Sequence, residues 1–596
     1  MFLKRHTRRK NGKEHTYWEL VESYRTARGS RHRVVAYLGE LGAEERQGWA
    51  RLGSLLDGRA ATRARQLVFF ESPVAESEEA VPESVRVNLK RVQVRRTRDF
   101  GGAFLGVMLW RMLELDGLLE STVESGREEV PWGVMACVLA VARLVEPSSE
   151  LHVEDTWYER TVLSDLLGVP AEKVERHRLY RTLDALLPQK ERIEKHLLAR
   201  VGELFKPDLD LVLYDVTSTY FEGQAQANPQ AQRGYSRDHR PDCKQVCIAL
   251  VVTREGFPLG YEIFPGNQND VKTVQAIVGE MEKRYGSAAR VWVMDRGMVS
   301  EENIEFLKKG GRRYIVGTPK SMLRSFERQL TEKDWQTIRE GLEVKLCPTP
   351  EGQEVFVLCR SADRQKKEQA MHERFERRIE EGLMQIEAGC RRRKQTPVAV
   401  AQRVGKLLGR NTRAAGLFQV EVTGTARTGA RLSWLKKPEW RDWAKLSEGC
   451  YLLRSNITDW GSQDMWRSYI QLTDVEKAFQ IEKSDLCIRP VWHRLEKRVK
   501  GHILFSFLAY ALWKTLQAWM ERAGLGSGVR TVLEELARLK ASDVVLGTTE
   551  NREVTVCCIT RPDGAQRAIL DRLGLELPER LGRARWVKSP AQTPDL

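Results

Sequence analysis

The chain has 596 residues, too many for one ordinary domain, so about three to five domains are expected. With 41% hydrophobic and 30% charged residues it reads as globular, and no apolar run reaches the roughly 20 residues of a membrane span. The net charge of +15 favours a polyanionic partner such as nucleic acid, because neutralising phosphates releases counterions.

Basic residues at the start are not followed by an apolar core, so no signal peptide and no membrane association are expected, and the cytosol is the expected compartment. The ten cysteines form no CxxC pair; the closest are Cys243 with Cys247 and the adjacent Cys557 and Cys558, which argues against structural zinc. The ten histidines lack ligand spacing and read as structural or surface residues.

In chain order, 16–24 (TYWELVESY) and 33–38 (RVVAYL) alternate and predict two strands joined by a turn at Ala27–Ser30. Acidic Glu71–Glu83 reads as a linker, and Arg86–Arg98 (RVNLKRVQVRRTR) as a basic strand or arm. Helical spacing follows over Leu105–Leu119 and Trp132–Leu144, and a third helix at 174–189 carries Arg176, Arg178 and Arg181, fitting DNA binding. From 209 the period becomes that of strands: 210–214, then a hairpin of 246–253 with 257–264. A helix at 270–284, a strand at 290–294, a helix at 301–309 and a strand at 314–317 follow. Three strands, a helix, a strand, a helix and a strand make the order of a ribonuclease-H-like mixed sheet. Residues 320–450 interrupt it, with a charged helical hairpin or arm at 365–394 and strand-like pieces at 354–359 and 417–423. A strand returns at 449–456, helices follow at 464–484 and 495–521, and the end reads as a helix at 529–540, a strand at 553–559 and a basic tail. The apolar stretch Ile503–Trp513 predicts a buried core helix.

The fold class expected is therefore α/β, a ribonuclease-H-like core interrupted by a partly β insertion and preceded by β-rich and helical DNA-binding regions. The boundaries expected are 1–98 for the β-rich basic region and linker and 99–204 for the helical domain. The core would occupy 205–319 and 450–521, the insertion 320–449 and the C-terminal region 522–596.

Two aspartates stand in equivalent settings: Asp215 after LVLY and Asp295 after VWVM. An acid at the carboxyl end of a buried strand is costly unless compensated, and a hard divalent cation takes such oxygen ligands. Taken singly, each also fits a loop cap. A third acid is Glu476. In a continuous helix over 469–483, Tyr469, Leu472, Glu476, Phe479 and Lys483 would form one stripe facing the sheet. Thr473-Asp474-Val475-Glu476 fits a capping box equally well, which would make Glu476 structural.

These residues resemble the DDE transposases of bacterial insertion sequences, in the long-chain subgroup of the cut-and-paste branch marked by Y-x(2)-R-x(3)-E-x(6)-K. Tyr469, Glu476 and Lys483 match that spacing, and Leu472 replaces the arginine. LVLYDVTSTYFEG, VWVMDRGMVSEENIEFL, LTDVEKAFQIEKSDLCIRPVWH and PDGAQRAILDRLGLELP carry the rest of the likeness. The resemblance implies Asp215, Asp295 and Glu476 as a catalytic triad holding two Mg2+ ions about 3.5–4 Å apart, with Mn2+ as a substitute. One ion would activate water or a DNA 3′-hydroxyl and the other would stabilise the leaving oxygen.

It also implies cutting of the element's own terminal inverted repeats through a DNA hairpin, joining to target double-stranded DNA, a homodimer on DNA, and a bacterial, nucleoid-associated location. Tyr469 and Lys483 would contact phosphates, with Arg296 in place of the missing arginine; Trp440, Trp443 and Trp460 are candidates to hold a flipped base. The alternatives are a structure-selective nuclease of the same fold and a non-catalytic, sequence-specific DNA-binding protein derived from a transposase.

Overall fold

The computed structural model describes residues 2–587 apart from 11–12, 27–28, 40–80, 82–83, 124–125, 127, 287–289 and 551. The turn expected at 27–28 and most of the linker expected at 71–83 lie outside the described residues. The chain forms two compact units: one of residues 1–208, 216–268 and 474–596, the other of 209–215 and 269–473.

The first unit opens with β1 (Phe2–Lys10), β2 (Lys13–Thr26) and β3 (Gly29–Gly39), an antiparallel sheet with β2 central. β2 and β3 fall where alternation placed them; β1 (FLKRHTRRK) carries almost no apolar alternation to announce it. β4 (Val87–Asp99) is the expected basic strand. Helices Gly101–Met112 and Leu115–Thr122 replace the single helix read over 105–119, with Glu114 between them in the left-handed region at φ +51°.

Helices Trp132–Val145, Arg176–Leu186 and Lys190–Phe205 complete the helical region. The basic helix is partly self-neutralised: Arg178 donates to Glu129 at 3.1 Å and Arg176 stands 3.9 Å from Glu154. Arg181 is exposed.

β5 (Leu211–Tyr220) begins in the second unit and ends in the first, where β6 (Gln245–Thr253) and β7 (Pro258–Pro265) form the expected antiparallel hairpin. Helix Glu496–Arg522 packs against the helical region, and Ile503–Trp513 is buried throughout, as its unbroken apolar run requires. Helix Val529–Leu536 precedes a C-terminal sheet. Among the described residues, no helix is long and apolar enough to cross a membrane.

In the second unit β8 (Val291–Met294) and β9 (Arg313–Gly317) lie parallel to the first half of β5. β10 (Gln336–Arg339), β11 (Leu342–Pro348) and β12 (Val355–Ser361) follow in sequence. The insertion carries β13 (Phe418–Thr425) and β14 (Gly429–Lys436), and β15 (Cys450–Ser455) returns to the sheet. The order β10-β11-β12-β15-β9-β8-β5 is mixed, antiparallel from β10 to β9 and parallel beyond.

The strand expected near 354–359 thus extends this sheet rather than the insertion. The charged stretch expected as a hairpin or arm is one 31-residue helix, Ala362–Arg392. Its Ile379, Leu383 and Ile386 form a small core with Val400 and Val404 of helix Pro397–Arg410 and with the β13–β14 hairpin.

In the C-terminal part of the first unit, β16 (Lys540–Thr548), β17 (Glu553–Ile559) and β18 (Arg580–Val587) make a four-stranded sheet in the order β18-β17-β16-β4. The part of the basic tail at Arg580–Val587 is therefore a strand. Several arginines of the basic segment at 86–98 are used internally. Arg98, 3% exposed, pairs with Asp165 and with Asp543 at 3.0 Å, and Arg95 lies 3.8 Å from Glu553.

Candidate active site

β5 and β8 run parallel in the register Leu211↔Val291 to Tyr214↔Met294. The next residues are Asp215 and Asp295, which places the two acids level on neighbouring strands, roughly 5 Å apart in the backbone, a spacing set by strand geometry. β8 ends before Asp295, as expected, whereas Asp215 is the fifth of ten residues in β5. The β-branched residues Val216, Thr217 and Thr219 keep that strand going, so the expectation that Asp215 ends its strand is corrected. Asp215 is half-buried and Asp295 exposed, and Arg296 beside it is exposed as well.

Tyr469 reaches the same place. Its hydroxyl donates to Asp295 Oδ1 at 3.3 Å, and burial, reinforced by Asp295, pushes its pKa well above the ordinary value. Gly317 makes room for it. A β-carbon there would meet Tyr469 Oη at 2.4 Å and the Arg296 amide nitrogen at 3.2 Å. Gly317→Ala is therefore expected to dislodge the tyrosine hydroxyl from Asp295 and, if Asp295 is a metal ligand, to slow the reaction it serves by about 10- to 100-fold, the usual cost of losing a residue that orients such a ligand. Single-turnover rates check this: Gly317→Ala and Tyr469→Phe should each cost a similar factor, and the double variant little more than either alone.

A fourth acid borders this space. A β-carbon on Gly297 would lie 3.6 Å from Asp270 Oδ2 and 4.0 Å from Asp295 Oδ2. Buried Asn303 holds the two turns together, its amide donating to the Val271 carbonyl at 2.8 Å and the Met298 carbonyl at 3.0 Å. Thr273 donates to the Asp270 carbonyl and shares a 2.5 Å hydrogen bond with Tyr214, the residue before Asp215. Asp270 escapes sequence reading because an acid at a helix start is satisfied by the helix dipole alone. Clustered carboxylates repel unless a cation compensates them, and hard oxygen donors suit Mg2+ or Mn2+, so the residues present fit a divalent ion.

Glu476 and Lys483 belong to the first unit. The chain does not run as one helix from 469 to 483: Ser462–Ile470 and Leu472–Gln480 are separate helices, and Ile481–Asp485 is a single π-type turn. The buried face is Val475, Ala478 and Phe479, continued by Glu482, while Glu476 is exposed. The stripe expected to carry Glu476 toward a sheet is corrected accordingly. Thr473 lies within the helix and its hydroxyl donates back to the Ile470 carbonyl at 2.8 Å, which is not the geometry of an N-cap. Burial pushes the Glu482 carboxyl up to about 8, so it is held protonated at neutral pH and is poorly suited to a metal.

The tryptophans expected to hold a flipped base are each half-buried. Trp440 lies against the insertion core and His372, Trp443 against the core beneath β12 and β15, and Trp460 against Arg313 at 5.4 Å.

Among the described residues, Glu150, His493 and His502 are the three whose potential ligand atoms lie within 4.8 Å of one another. They belong to a buried network. His493 bonds Glu150 at 3.2 Å, His502 Nε2 lies 3.0 Å from the Ile488 carbonyl, and His502 Nδ1 lies 3.4 Å from Arg143. Burial and then Arg143 lower the His502 pKa, and a cationic guanidinium on a ligand nitrogen does not fit a metal site.

Residues 206–512 match the family model described as the Transposase DDE domain, and residues 3–72 match that of the IS1634 family transposase, N-terminal domain. No curated protein matches the chain. Among solved structures, the cryo-EM structure of a piggyBac transposase synaptic complex with hairpin DNA is similar over 75% of this chain and 82% of that chain, with 10% identity and a TM-score of 0.35, too slight a likeness to carry an argument.

Proposed function

The chain belongs to the DDE transposases of IS1634-type insertion sequences, and on that premise we propose that it cuts the inverted repeats of its own element and joins them to target DNA. The observation that supports this most is the level placement of Asp215 and Asp295 on adjoining parallel strands, with Tyr469 hydrogen-bonded to the second. The element order from β5 to β9 supports a ribonuclease-H-like core, and the domain boundaries read from the sequence are retained as part of the proposal, except that the strands over 336–361 are counted with the core sheet.

DDE transposases depend on a divalent metal. Asp215, Asp295 and Glu476 would hold it, as two Mg2+ or Mn2+ ions. Bound there, such ions supply a nucleophile at neutral pH and charge stabilisation at the leaving oxygen. Tyr469 fixes the orientation of the Asp295 carboxylate. Asn303 keeps the Asp270 and Asp295 turns in register. Lys483 and Arg296 attract backbone phosphates, which orients the scissile strand against the acids. A hairpin intermediate, a homodimer on the paired ends and a bacterial, nucleoid-associated location complete the reading.

The test is incubation of the full chain with Mg2+ and the DNA bordering its own gene. Nicks, hairpins and joined products are expected. Cleavage without joining would favour a structure-selective nuclease, and binding alone a non-catalytic DNA-binding protein.

A further inference from the structure

Lys483 does not stand free for a phosphate. Its ammonium lies 2.8 Å from Asp238 Oδ1, and Arg489 Nη1 donates to the same oxygen. The Asp238 side chain is 3% exposed, that of Lys483 12% and that of Arg489 30%. The second carboxylate oxygen of Asp238 is buried with no hydrogen-bond partner among the described residues. Two cations thus share one anionic oxygen while the other oxygen is orphaned, an arrangement unfavourable for the unpaired acceptor.

The two cations come from one stretch of chain and the acid from another. Lys483 sits on the turn after helix Leu472–Gln480, and the Arg489 segment is pinned where the Val491 amide donates to the Tyr220 carbonyl at 2.9 Å and the Ile488 amide to the Glu482 carbonyl at 2.9 Å. Asp238 rides on the loop between β5 and β6, held by its own turn, in which the Arg240 amide donates to Ser236 Oγ at 2.9 Å. A phosphodiester brings two non-bridging oxygens, one for each cation, where Asp238 brings one. Exposed aromatics lie close to the trio in sequence: Tyr235, 84% exposed, stands three residues before Asp238, and Trp492, 67% exposed, three after Arg489. Aromatic faces beside paired cations are the means by which a nucleic-acid strand is gripped without base readout.

We propose that Lys483 and Arg489 form one phosphodiester-binding site, that the Asp238 carboxylate fills it in the free protein, and that DNA takes the site by displacing Asp238. This extends the transposase reading, since it assigns Lys483 to the DNA backbone, but it adds Arg489 as the second ligand and Asp238 as the competitor.

The experiment measures binding of the full chain to a duplex of arbitrary sequence over a series of salt concentrations. Asp238→Asn is expected to bind several-fold more tightly at low salt and to steepen the log–log salt dependence by about one. Adding Arg489→Gln should abolish both gains. Asp242→Asn, the same charge change at an exposed acid paired with Arg240 four residues on, should leave the slope unchanged. Unchanged affinity and slope in Asp238→Asn, or an equal gain in Asp242→Asn, would overturn the proposal.

Removing a buried acid can also unfold the chain, so Arg489→Gln alone gives an independent reading. It should lower the slope by about one, and an unchanged slope contradicts the site. None of these readings needs cleavage. Gains in binding by a protein that cuts nothing would refute the transposase reading and leave this site standing, whereas normal cutting with flat binding data would do the reverse.

Discussion

Asp215→Asn and Asp295→Asn are each expected to slow DNA cleavage by roughly a thousandfold or more, because an amide removes both a negative charge and a metal-ligating oxygen from the reacting centre. Folding and DNA binding should survive. The asparagine oxygen at 295 can still accept from Tyr469, and neither acid is fully buried, Asp215 being half-buried and Asp295 exposed. Single-turnover cleavage beside a binding titration checks the pair. Loss of binding in parallel with loss of cutting would mean that the acids serve the fold.

The largest expected effect on stability lies elsewhere in the same unit. Glu354, at the start of β12, receives Arg454 in a two-pronged contact at 2.7 and 2.9 Å, Lys308 at 2.8 Å, and the Tyr314 hydroxyl. Arg454 also reaches Glu301 at 2.8 Å. Burial pushes the Glu354 carboxyl up, but the hydrogen bonds from Arg454, Lys308 and Tyr314 outweigh it and hold it at about 2. Glu354→Ala leaves a buried guanidinium without its main partner and should cost about 3–5 kcal/mol in denaturant unfolding.

The pH dependence has a definite sign. A carboxyl whose folded pKa is depressed contributes stability that is complete above its ordinary value of 4.5 and is lost as pH falls through about 2. Acid titration of unfolding should therefore show a loss in the wild type over that window that Glu354→Ala has already incurred.

Much of this was legible from residue patterns. Alternation and apolar runs located β2, β3, the β6–β7 hairpin, β8, β9 and β17, and the unbroken apolar stretch Ile503–Trp513 marked the core of the long helix. Charge hid the remainder. β1 and β18 are rich in arginine and lysine, and pairing with β2 and β17 makes strands of them, while the basic strand β4 was legible but its pairing with β16, some 440 residues on, was not. The insertion helix read as a solvated hairpin because its packing stripe of Ile379, Leu383 and Ile386 is narrow among charged residues.

At the site, Asp215 and Asp295 stood out by their strands, but the roles of Gly317, Asp270 and Asn303 depend on turns that meet only after folding. The Glu150–His493–His502 network is invisible for the same reason, since its members lie 343 residues apart. A single stripe from Tyr469 to Lys483 does not form because the chain breaks at Gln471 and again after Gln480, and within helix Leu472–Gln480 Glu476 is exposed beside the buried face of Val475, Ala478 and Phe479.

Glu476, the third acid, decides whether the triad stands. The decisive measurement is cleavage of the element's own end by Glu476→Gln in Mg2+ and in Mn2+, with binding followed in parallel. No cutting in either metal with binding retained is the result expected of a catalytic glutamate. Normal cutting would contradict the triad of Asp215, Asp295 and Glu476 and would turn attention to Asp270, the further acid beside Asp295.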